Sequence, residues 1–223
     1  MSNFSAIVAG GSSGIGNALL EELSQKYDWN LYSFDITEPK IEIPKVKYLK
    51  VDVTDSDSIS SGLDAVEGHL ELIVNSAGVK DEETPEGIKR MFKVNVQGTA
   101  NLLTVIGLYL ENQAVSSTFV QVSSAMALSL DPNFLGYSLS KLGGTMVAES
   151  FKNSPYFNNR IKIVYPGPVD TPLFRKGKTN ESIQRIQPTK PKIIAEKIMD
   201  LVRSSKDILR CLDDFPNWTY ILE

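Results

Sequence analysis

Short apolar runs alternate with longer stretches of helical periodicity along most of this chain. The runs are too short for helices and are apolar on both faces, which is typical of buried strands. They cover residues 6–9, 31–34, 47–51, 72–74, 119–122 and 161–164, and helical stretches are clearest at about 87–111, 137–152 and 191–204. Apolar strands alternating with helices predict an α/β fold in which a parallel sheet has helices on both faces.

Size and charge narrow the class of protein further. The 223 residues suit one domain, so we expect a single unit spanning 1–223. The net charge is −4 and basic runs are absent from the sequence, which argues against a nucleic-acid partner. Neither a signal-peptide pattern nor an apolar stretch of roughly 20 residues is present, and Cys211 is the one cysteine. We therefore expect a cytoplasmic protein with no membrane partner and no metal site.

Most of the predicted strands end in a small polar residue or run into a glycine-containing loop. In open parallel sheets, ligands bind outside the carboxyl ends of the strands. The predicted site is accordingly assembled from a set of strand-end positions. These are residues 10–16, 35, 52, 75, 123–124 and 166–171.

A glycine-rich segment follows the first predicted strand at once, with Gly10, Gly14 and Gly16 spaced G-x-x-x-G-x-G around Ser12, Ser13 and Ile15. Such a turn lets the backbone approach a pyrophosphate, and the following helix offers free N–H groups at its N-terminus. Alone, the spacing fits a plain turn equally well. Its position between a strand and a helix favours dinucleotide binding.

Asp35 ends the second predicted strand, about 20 residues after Gly16. A carboxylate there can accept hydrogen bonds from the adenosine ribose and would repel a 2′-phosphate. Ser13 and Ile36 bring no compensating cation. We therefore expect NAD(H) to be preferred over NADP(H), the alternative being that Asp35 is only a solvated strand end.

Asp52 and Val53 close the third predicted strand. A short side chain at this position could contact the adenine amino group. It could equally cap a helix, because Thr54 and Asp55 precede a helical stretch. The residues alone leave both roles open.

Tyr137 and Lys141 lie four residues apart on one face of a predicted helix. A nearby positive charge lowers the pKa of a tyrosine from its usual value of about 10. We therefore expect Lys141, aided by an oxidised nicotinamide, to let Tyr137 exchange a proton with an alcohol or carbonyl. Ser124, after the fifth strand, could hold and polarise the same oxygen. Each residue taken singly is more commonly structural, and it is their conjunction that favours catalysis.

These motifs together resemble the short-chain dehydrogenase/reductase family in its standard single-domain form, from about residue 5 to about residue 205. The resemblance implies a Rossmann-type doubly wound, mainly parallel sheet of about seven strands, and a homodimer or homotetramer. The matching segments are the glycine loop with Ala9 in place of the family's threonine, Asp52-Val53, Asn75-Ser76-Ala77-Gly78, Asn95, Ser124 with Tyr137-Ser138-Leu139-Ser140-Lys141, and Pro166-Gly167-Pro168-Val169-Asp170-Thr171.

The resemblance also implies an NAD(P)(H)-dependent oxidoreductase in which Tyr137 is the general acid/base. Asn95 would hold a water that links Lys141 to solvent, and Lys141 would bind the nicotinamide ribose. The implied catalytic residues are Asn95, Ser124, Tyr137 and Lys141. The implied cofactor-binding residues are Gly10, Ser12, Ser13, Gly14, Ile15, Gly16, Asp35, Asp52, Val53, Asn75, Ala77, Gly78, Tyr137, Lys141, Pro166, Gly167, Val169 and Thr171.

The chain departs from the family around the substrate and at its end. The segments between Gly78 and Asn95 and after Thr171 are short, and we expect the family's C-terminal strand with its Asp-Gly-Gly ending to be absent from an atypical tail at about 206–223. The family dimerises through helices that include Gly143-Gly144, and close helix approach there would explain this pair. Ala9 removes a side-chain hydrogen bond from the cofactor site.

Apolar residues between Ser124 and Tyr137 and after Thr171 predict the wall of a substrate pocket. They favour a small apolar ketone or secondary alcohol, and basic residues at the rim would admit an anionic group. The alternative is that these side chains only pack the loops. The predicted wall is Met126, Leu128, Leu130, Phe134, Leu135, Leu173 and Phe174, and the predicted rim is Arg175 and Lys176.

Two other functions compete with an oxidoreductase. A non-catalytic dinucleotide-binding regulator of the same fold is disfavoured, because such proteins usually lose the tyrosine or the lysine, and Tyr137 and Lys141 are both present. A nucleotide-sugar epimerase also uses Tyr-x-x-x-Lys. Those chains are longer and carry a G-x-x-G-x-x-G loop, so this function is disfavoured too.

Overall fold

The computed structural model describes residues 3–111, 117–129, 131–157, 160–212 and 218–223. Within this part of the chain, eight strands form one sheet. All of the strands predicted from apolar runs are present, with bounds that shift by a few residues. The strands are β1 (Phe4–Ala9), β2 (Asn30–Asp35), β3 (Val46–Lys50), β4 (His69–Asn75), β5 (Thr118–Val122), β6 (Ile161–Tyr165), β7 (Ile208–Cys211) and β8 (Tyr220–Leu222).

The strand order is β3-β2-β1-β4-β5-β6-β7-β8. Strands β1 to β7 pair in parallel, and β8 pairs antiparallel with β7. The order reverses at β1, so a crevice opens outside the carboxyl ends of β1 and β4, where ligands bind in such sheets. The predicted doubly wound, mainly parallel fold is confirmed, with eight strands in place of about seven.

Helices cover both faces of the sheet. Residues of α1 and α9 enter one buried cluster, and residues of α2, α4 and α6 enter the other. Among the described residues, no helix combines the length and apolar character needed to cross a bilayer. The helices are α1 (Gly14–Lys26), α2 (Ser56–Leu63), α3 (Pro85–Phe92), α4 (Gly98–Glu111), α5 (Met126–Ser129), α6 (Leu135–Ser150), α7 (Pro172–Arg175), α8 (Asn180–Ile186) and α9 (Pro191–Arg203).

Strand β1 shows why the predicted strands are apolar throughout. Successive side chains of a strand point to opposite faces of the sheet. Ile7 and Ala9 belong to one core cluster, whereas Ala6 and Val8 belong to the other. All four side chains are fully buried, as expected for a parallel sheet that is covered on both sides.

The predicted helix over 87–111 is interrupted by a π-helical turn, Lys93–Gln97, between α3 and α4. Such turns occur mainly as single insertions in α-helices, often at functional sites. Here the turn carries the buried residue Asn95. The surrounding periodicity continues through the turn, so the sequence pattern does not reveal it.

The expectation that the C-terminal strand is absent is wrong. Strand β7 pairs in parallel with β6, from Ile163 to Tyr165, and only the Asp-Gly-Gly ending is missing from this chain. The strand is four residues long and includes Arg210, so it is too short and too mixed for its periodicity to predict it. Residues 213–217 of the atypical tail lie outside the described residues.

Candidate active site

The glycine loop turns sharply between β1 and α1. Gly10 and Gly14 have φ angles of +77° and +57°, a region that disfavours residues with a β-carbon. A β-carbon at Gly10 would also lie 2.6 Å from the backbone nitrogen of Ala77. Ser13 is the N-cap of α1, and its side chain makes no capping hydrogen bond. The N–H groups of the first turn are therefore available to an anionic group.

Asp35 connects the glycine loop to the turn after β2 through hydrogen bonds. One carboxylate oxygen accepts a hydrogen bond from the backbone N–H of Ser12 at 3.1 Å. The other accepts from the backbone N–H and the hydroxyl of Thr37, each at 3.0 Å. The Ser12 hydroxyl donates to the Thr37 carbonyl at 2.6 Å. Asp35 is thus a structural element of the loop as well as a negative charge beside it.

The two roles left open for Asp52 separate in the structure. Asp55 is the residue that caps α2, because its side chain accepts a hydrogen bond from the backbone N–H of Asp57 at 3.0 Å. Asp52 accepts from the backbone N–H of Thr54 at 2.8 Å, and both Asp52 and Val53 line the cavity described next. The position is therefore compatible with a coenzyme contact.

A cavity of about 620 Å³ lies along the carboxyl ends of the strands, from Asp35 to Phe174. It joins most of the predicted site. Four of the predicted residues do not line the cavity, namely Ser12, Gly16, Asn75 and Asn95. The predicted residues that line it are Gly10, Ser13, Gly14, Ile15, Asp35, Asp52, Val53, Ala77, Gly78, Ser124, Tyr137, Lys141, Pro166, Gly167, Val169 and Thr171.

Asn75 is an example of a predicted residue that does not line the cavity. It is 1% exposed, and its amide nitrogen donates to the hydroxyl of Thr99 at 3.0 Å and to the side-chain oxygen of Gln121 at 2.9 Å. These bonds join the end of β4 to α4 and β5. Asn75 therefore supports the site by fixing the strand that precedes Ala77 and Gly78.

Tyr137 in the first turn of α6 and Ser124 after β5 form the centre of the site. Both are almost buried, with 9% of each residue exposed. Burial raises the pKa of the Tyr137 phenol, and a hydrogen bond with Ser124 acts in the opposite direction. Tyr137 is therefore protonated at neutral pH and can act as a proton donor.

Lys141 lies one helical turn after Tyr137, and its ammonium group donates to the backbone carbonyl of Val122 at 2.7 Å. Burial lowers the pKa of Lys141 to about 8. A hydrogen bond with Ser124 lowers the pKa of Tyr137 here, and the expected lowering by Lys141 stays a prediction. The buried ammonium group of Lys141 requires an acceptor, and the end of β5 provides one.

Asn95 connects the π-helical turn to the loop after β4. Its side-chain oxygen accepts from the backbone N–H of Val79 at 2.8 Å, and its nitrogen donates to the Val79 carbonyl at 2.9 Å. The same nitrogen donates to the hydroxyl of Ser140 at 2.9 Å, which in turn donates to the Tyr137 carbonyl at 2.8 Å. Asn95 thus holds the loop against the helix that carries Tyr137.

The predicted apolar wall is present in part. Met126, Phe134, Leu173 and Phe174 line the cavity. Leu128 and Leu135 do not, and they are 49% and 46% exposed. Leu130 lies outside the described residues.

Arg175 and Lys176, expected near the rim, do not line the cavity. The guanidinium of Arg175 pairs with Asp170 at 2.5 Å, and the ammonium of Lys176 lies 3.7 Å from Asp81. Neither basic residue lines the cavity, because each turns toward an acidic residue outside it. The basic side chains that do line it are Lys80, Lys141 and Lys178.

The tail contributes to the end of the cavity formed after β6. The indole N–H of Trp218 donates to the carbonyls of Ile186 and Gln187, each at 3.1 Å. A β-carbon at Gly167 would lie 2.8 Å from the sulfur of Cys211 and 3.4 Å from the Trp218 ring. Cys211 and Trp218 of the tail therefore pack against Gly167. Trp218 also hydrogen-bonds to Ile186, which lines the cavity.

The doubly wound sheet, the glycine loop at its switch point and the Ser124–Tyr137 pair define a dinucleotide-dependent oxidoreductase. The chain belongs to the short-chain dehydrogenase family, since the sequence model described as short chain dehydrogenase matches residues 5–182. Enzymes of this class act on CH–OH and C=O groups, and their coenzyme is a nicotinamide dinucleotide.

Two relatives are similar to this chain over most of their length. The chain is 29% identical over 234 residues to an NADPH-dependent aldehyde reductase-like protein of Arabidopsis thaliana, covering 92% of this chain and 84% of the relative. It is 24% identical to the 15-hydroxyprostaglandin dehydrogenase [NAD(+)] of Bos taurus, covering 94% and 86%. A short chain dehydrogenase from Burkholderia cenocepacia in complex with NADP has the same fold, with a TM-score of 0.79, 20% identity and coverage of 92% and 86%.

Proposed function

We propose that this protein is an NAD(H)-preferring oxidoreductase that interconverts a small ketone and a secondary alcohol, with Tyr137 as the general acid/base. The observation that carries the proposal is that Ser124, Tyr137 and Lys141 lie together on the wall of one largely apolar cavity. Met126, Phe134 and Leu173 on that wall favour an apolar substrate body.

Each of the proposed catalytic residues has a separate role in the reaction. A bound nicotinamide dinucleotide supplies the hydride in reduction and accepts it in oxidation. In reduction, Tyr137 gives its phenolic proton to the substrate oxygen while the carbonyl carbon gains the hydride, so that an alcohol forms. Ser124 donates a hydrogen bond to the same oxygen and stabilises the charge that develops there. Lys141 and Asn95 are proposed to return a proton to Tyr137.

Several contacts support a dinucleotide along the carboxyl ends of β1 to β4. Gly10 packs too closely on Ala77 for a side chain, and the uncapped start of α1 suits a pyrophosphate. The preference for NAD(H) rests on the negative charge of Asp35, because the adjacent lining residues Ile36 and Thr37 add no cation. The Arabidopsis relative is named for NADPH and the bovine relative for NAD+, so the coenzyme has to be measured.

The proposal also includes the organisation expected from the sequence, namely one cytoplasmic unit that forms a homodimer or homotetramer. Exposed apolar side chains on α6 support association through that helix. Leu139 is 38% exposed and Met146 is 61% exposed. Covering such side chains on association would remove apolar surface from water.

The deciding experiment measures NADH and NADPH oxidation with a panel of ketones and aldehydes, and compares wild type with Tyr137→Phe. We expect Tyr137→Phe to lose turnover by a factor on the order of 10² to 10⁴. NADH binding, followed by fluorescence, should be retained. Near-normal turnover by Tyr137→Phe would contradict the assignment of the acid. Coenzyme binding by a wild type that turns over neither carbonyls nor alcohols would favour the non-catalytic regulator.

A further inference from the structure

Two lysine side chains that the proposed chemistry does not use enter the cavity beside Tyr137. The ammonium group of Lys80 lies 3.8 Å from the ring centre of Phe134 and 5.4 Å from that of Tyr137. The ammonium group of Lys178 lies 4.4 Å from the ring centre of Phe174 and donates to the Phe174 carbonyl at 2.7 Å. Both lysines and both phenylalanines line the cavity, so each cation is held against an aromatic wall.

In the part of the chain that the structure describes, these two cations are not neutralised by ion pairs. Within the described ranges, neither Lys80 nor Lys178 has a carboxylate within the distance of a salt bridge, whereas nearby Lys176 lies 3.7 Å from Asp81. Burial lowers the pKa of Lys80, and the positive charge of Lys178 lowers it further. Glu83 and Asp131 act in the opposite direction, but more weakly than burial does.

Lys80 and Lys178 place two positive charges on the wall of one cavity, each against an aromatic ring and without a salt-bridge partner among the described residues. Charge-assisted hydrogen bonds from both lysines to one anionic group would relieve the repulsion and the desolvation together. Among the residues that the structure describes, no acidic side chain forms a salt bridge with either lysine. The geometry therefore points to an anion supplied by a ligand.

The position of the pair shows which ligand this is. Lys80 and Lys178 contact Phe134, Tyr137 and Phe174, whereas the glycine loop that would hold coenzyme phosphates lies at the start of α1. The reacting oxygen has to lie within hydrogen-bond distance of Tyr137. An anion on the lysines therefore belongs to the molecule that reacts at Tyr137.

We propose that the substrate is an oxo compound with an apolar body and an anionic oxygen group, carboxylate or phosphate, that Lys80 and Lys178 bind. The inference rests on the proposed function, because it assumes that the carbonyl is reduced at Tyr137. Met126 and Leu173 line the same cavity and contact the apolar body. The sequence allowed an anionic group at the rim, and this proposal puts the anionic group inside the cavity, on different cations.

The test compares substrates of one skeleton that differ in charge. The probes are para-formylbenzoate, para-formylphenyl phosphate and methyl para-formylbenzoate, together with the corresponding acetyl compounds. The variants are Lys80→Met and Lys178→Met. Lys176→Met is the matched control, because it removes one positive charge from a neighbouring side chain that does not line the cavity. The readout is the ratio of kcat/KM for each anionic probe to that for its neutral ester.

We expect wild type to favour one anionic probe over the ester by about tenfold or more, and each cavity lysine variant to lower that ratio by about tenfold. Lys176→Met should keep the wild-type ratio. The anion that gives the larger ratio identifies carboxylate or phosphate. Binding of benzoate and phenyl phosphate in the presence of NADH, measured by calorimetry, should weaken in the same two variants.

The possible outcomes distinguish failure of the proposed anion site from failure of the proposed oxidoreductase function. Turnover of all probes with equal efficiency, or a ratio that Lys80→Met and Lys178→Met leave unchanged, would overturn the anion site and leave the oxidoreductase proposal intact. A ratio that falls equally in Lys176→Met would show general charge attraction and would also overturn it. If wild type turns over neither charged nor neutral probes with either coenzyme, the proposed function itself fails.

Discussion

The carboxylate of Glu83 accepts a hydrogen bond from the backbone N–H of Tyr137 at 3.2 Å, and another from the N–H of Gly136 at 2.6 Å. Phe134, at the N-cap of α6, makes no side-chain capping bond. A residue from the loop after β4 thus caps the helix that carries the proposed acid/base. A carboxylate at this end is also favourable to the helix dipole. Glu83 is a positioning residue for Tyr137.

Replacing Glu83 by alanine should lower both stability and catalytic efficiency. Loss of the cap should decrease the free energy of unfolding by about 1 kcal/mol. Since the first turn of α6 carries Tyr137, kcat should fall while the dissociation constant for NADH changes little. Glu83→Gln keeps the acceptor oxygen and should restore part of both quantities. Urea unfolding and steady-state kinetics measure the two effects.

The control is Glu82→Ala, which removes the adjacent exposed carboxylate and leaves the cap in place. It should resemble wild type in stability and in kcat. If both alanine variants lose the same amount, the negative charge of the loop matters and the contact with Tyr137 does not.

The parts of the fold that repeat a simple pattern were predictable from sequence. Strand β1 is buried on both faces, so its apolar run identifies it. The order of the glycine loop, Ser124 and Tyr137 along the chain predicts the candidate site, and the folded chain brings these segments to one cavity. Glu83 was not predictable, because its partner is 54 positions away in sequence and its loop has no periodicity. Lys80 was missed for the same reason, since its aromatic contacts form only in the folded chain.

The adjacent glycines of α6, Gly143 and Gly144, lead to a second prediction. Both allow close packing against residues of the same chain, Asn95 and Val96. A β-carbon at Gly144 would overlap the backbone carbonyl oxygen of Asn95, whereas one at Gly143 would lie 3.0 Å from a methyl group of Val96. Gly144→Ala should lower the free energy of unfolding by about 1–3 kcal/mol. It should also lower kcat, because Asn95 is displaced.

Gly143→Ala is the matched variant. The Val96 side chain can shift, and alanine favours a helix over glycine by about 1 kcal/mol, so this variant should have nearly wild-type stability. Urea denaturation at two protein concentrations measures both variants. Equal stability of the two would contradict the intrachain explanation, and a dependence on protein concentration would favour a dimer contact instead.

Asp35 leads to a prediction about the coenzyme. Because its carboxylate also holds Ser12 and Thr37, alanine would disturb the loop as well as remove the charge. Asp35→Asn keeps an acceptor oxygen for Thr37 and removes the repulsion of a 2′-phosphate. The ratio of the dissociation constants for NADPH and NADH should fall by about tenfold, which corresponds to about 1.4 kcal/mol.

Glu38→Gln is the control for Asp35→Asn, since Glu38 is exposed after the same strand and does not line the cavity. It should leave the coenzyme ratio unchanged. Fluorescence titration with each coenzyme measures the two dissociation constants and therefore their ratio. A wild type that binds NADPH more tightly than NADH would show that Asp35 serves the loop alone and that the proposed preference is incorrect.

Lys141 predicts the pH dependence of carbonyl reduction. The kcat/KM value reports ionisations of the free enzyme, and burial lowers the pKa of Lys141 to about 8. The ammonium is charged below that pH and loses its proton above it. We therefore expect kcat/KM to be constant near neutrality and to fall by about tenfold per pH unit above pH 8. Burial raises the pKa of Tyr137, so its phenol titrates too high to cause this decline.

Lys141→Arg distinguishes this ionisation from other causes, because a guanidinium stays charged throughout the range. The variant should have lower activity but no inflection near pH 8, and an unchanged inflection would assign it to another group. Unfolding cannot produce the decline through this lysine. Its pKa is lower in the folded than in the unfolded chain, so above pH 8 the unfolded chain binds more protons and stability rises with pH. Unfolding midpoints measured at the same pH values should therefore not fall in parallel with kcat/KM.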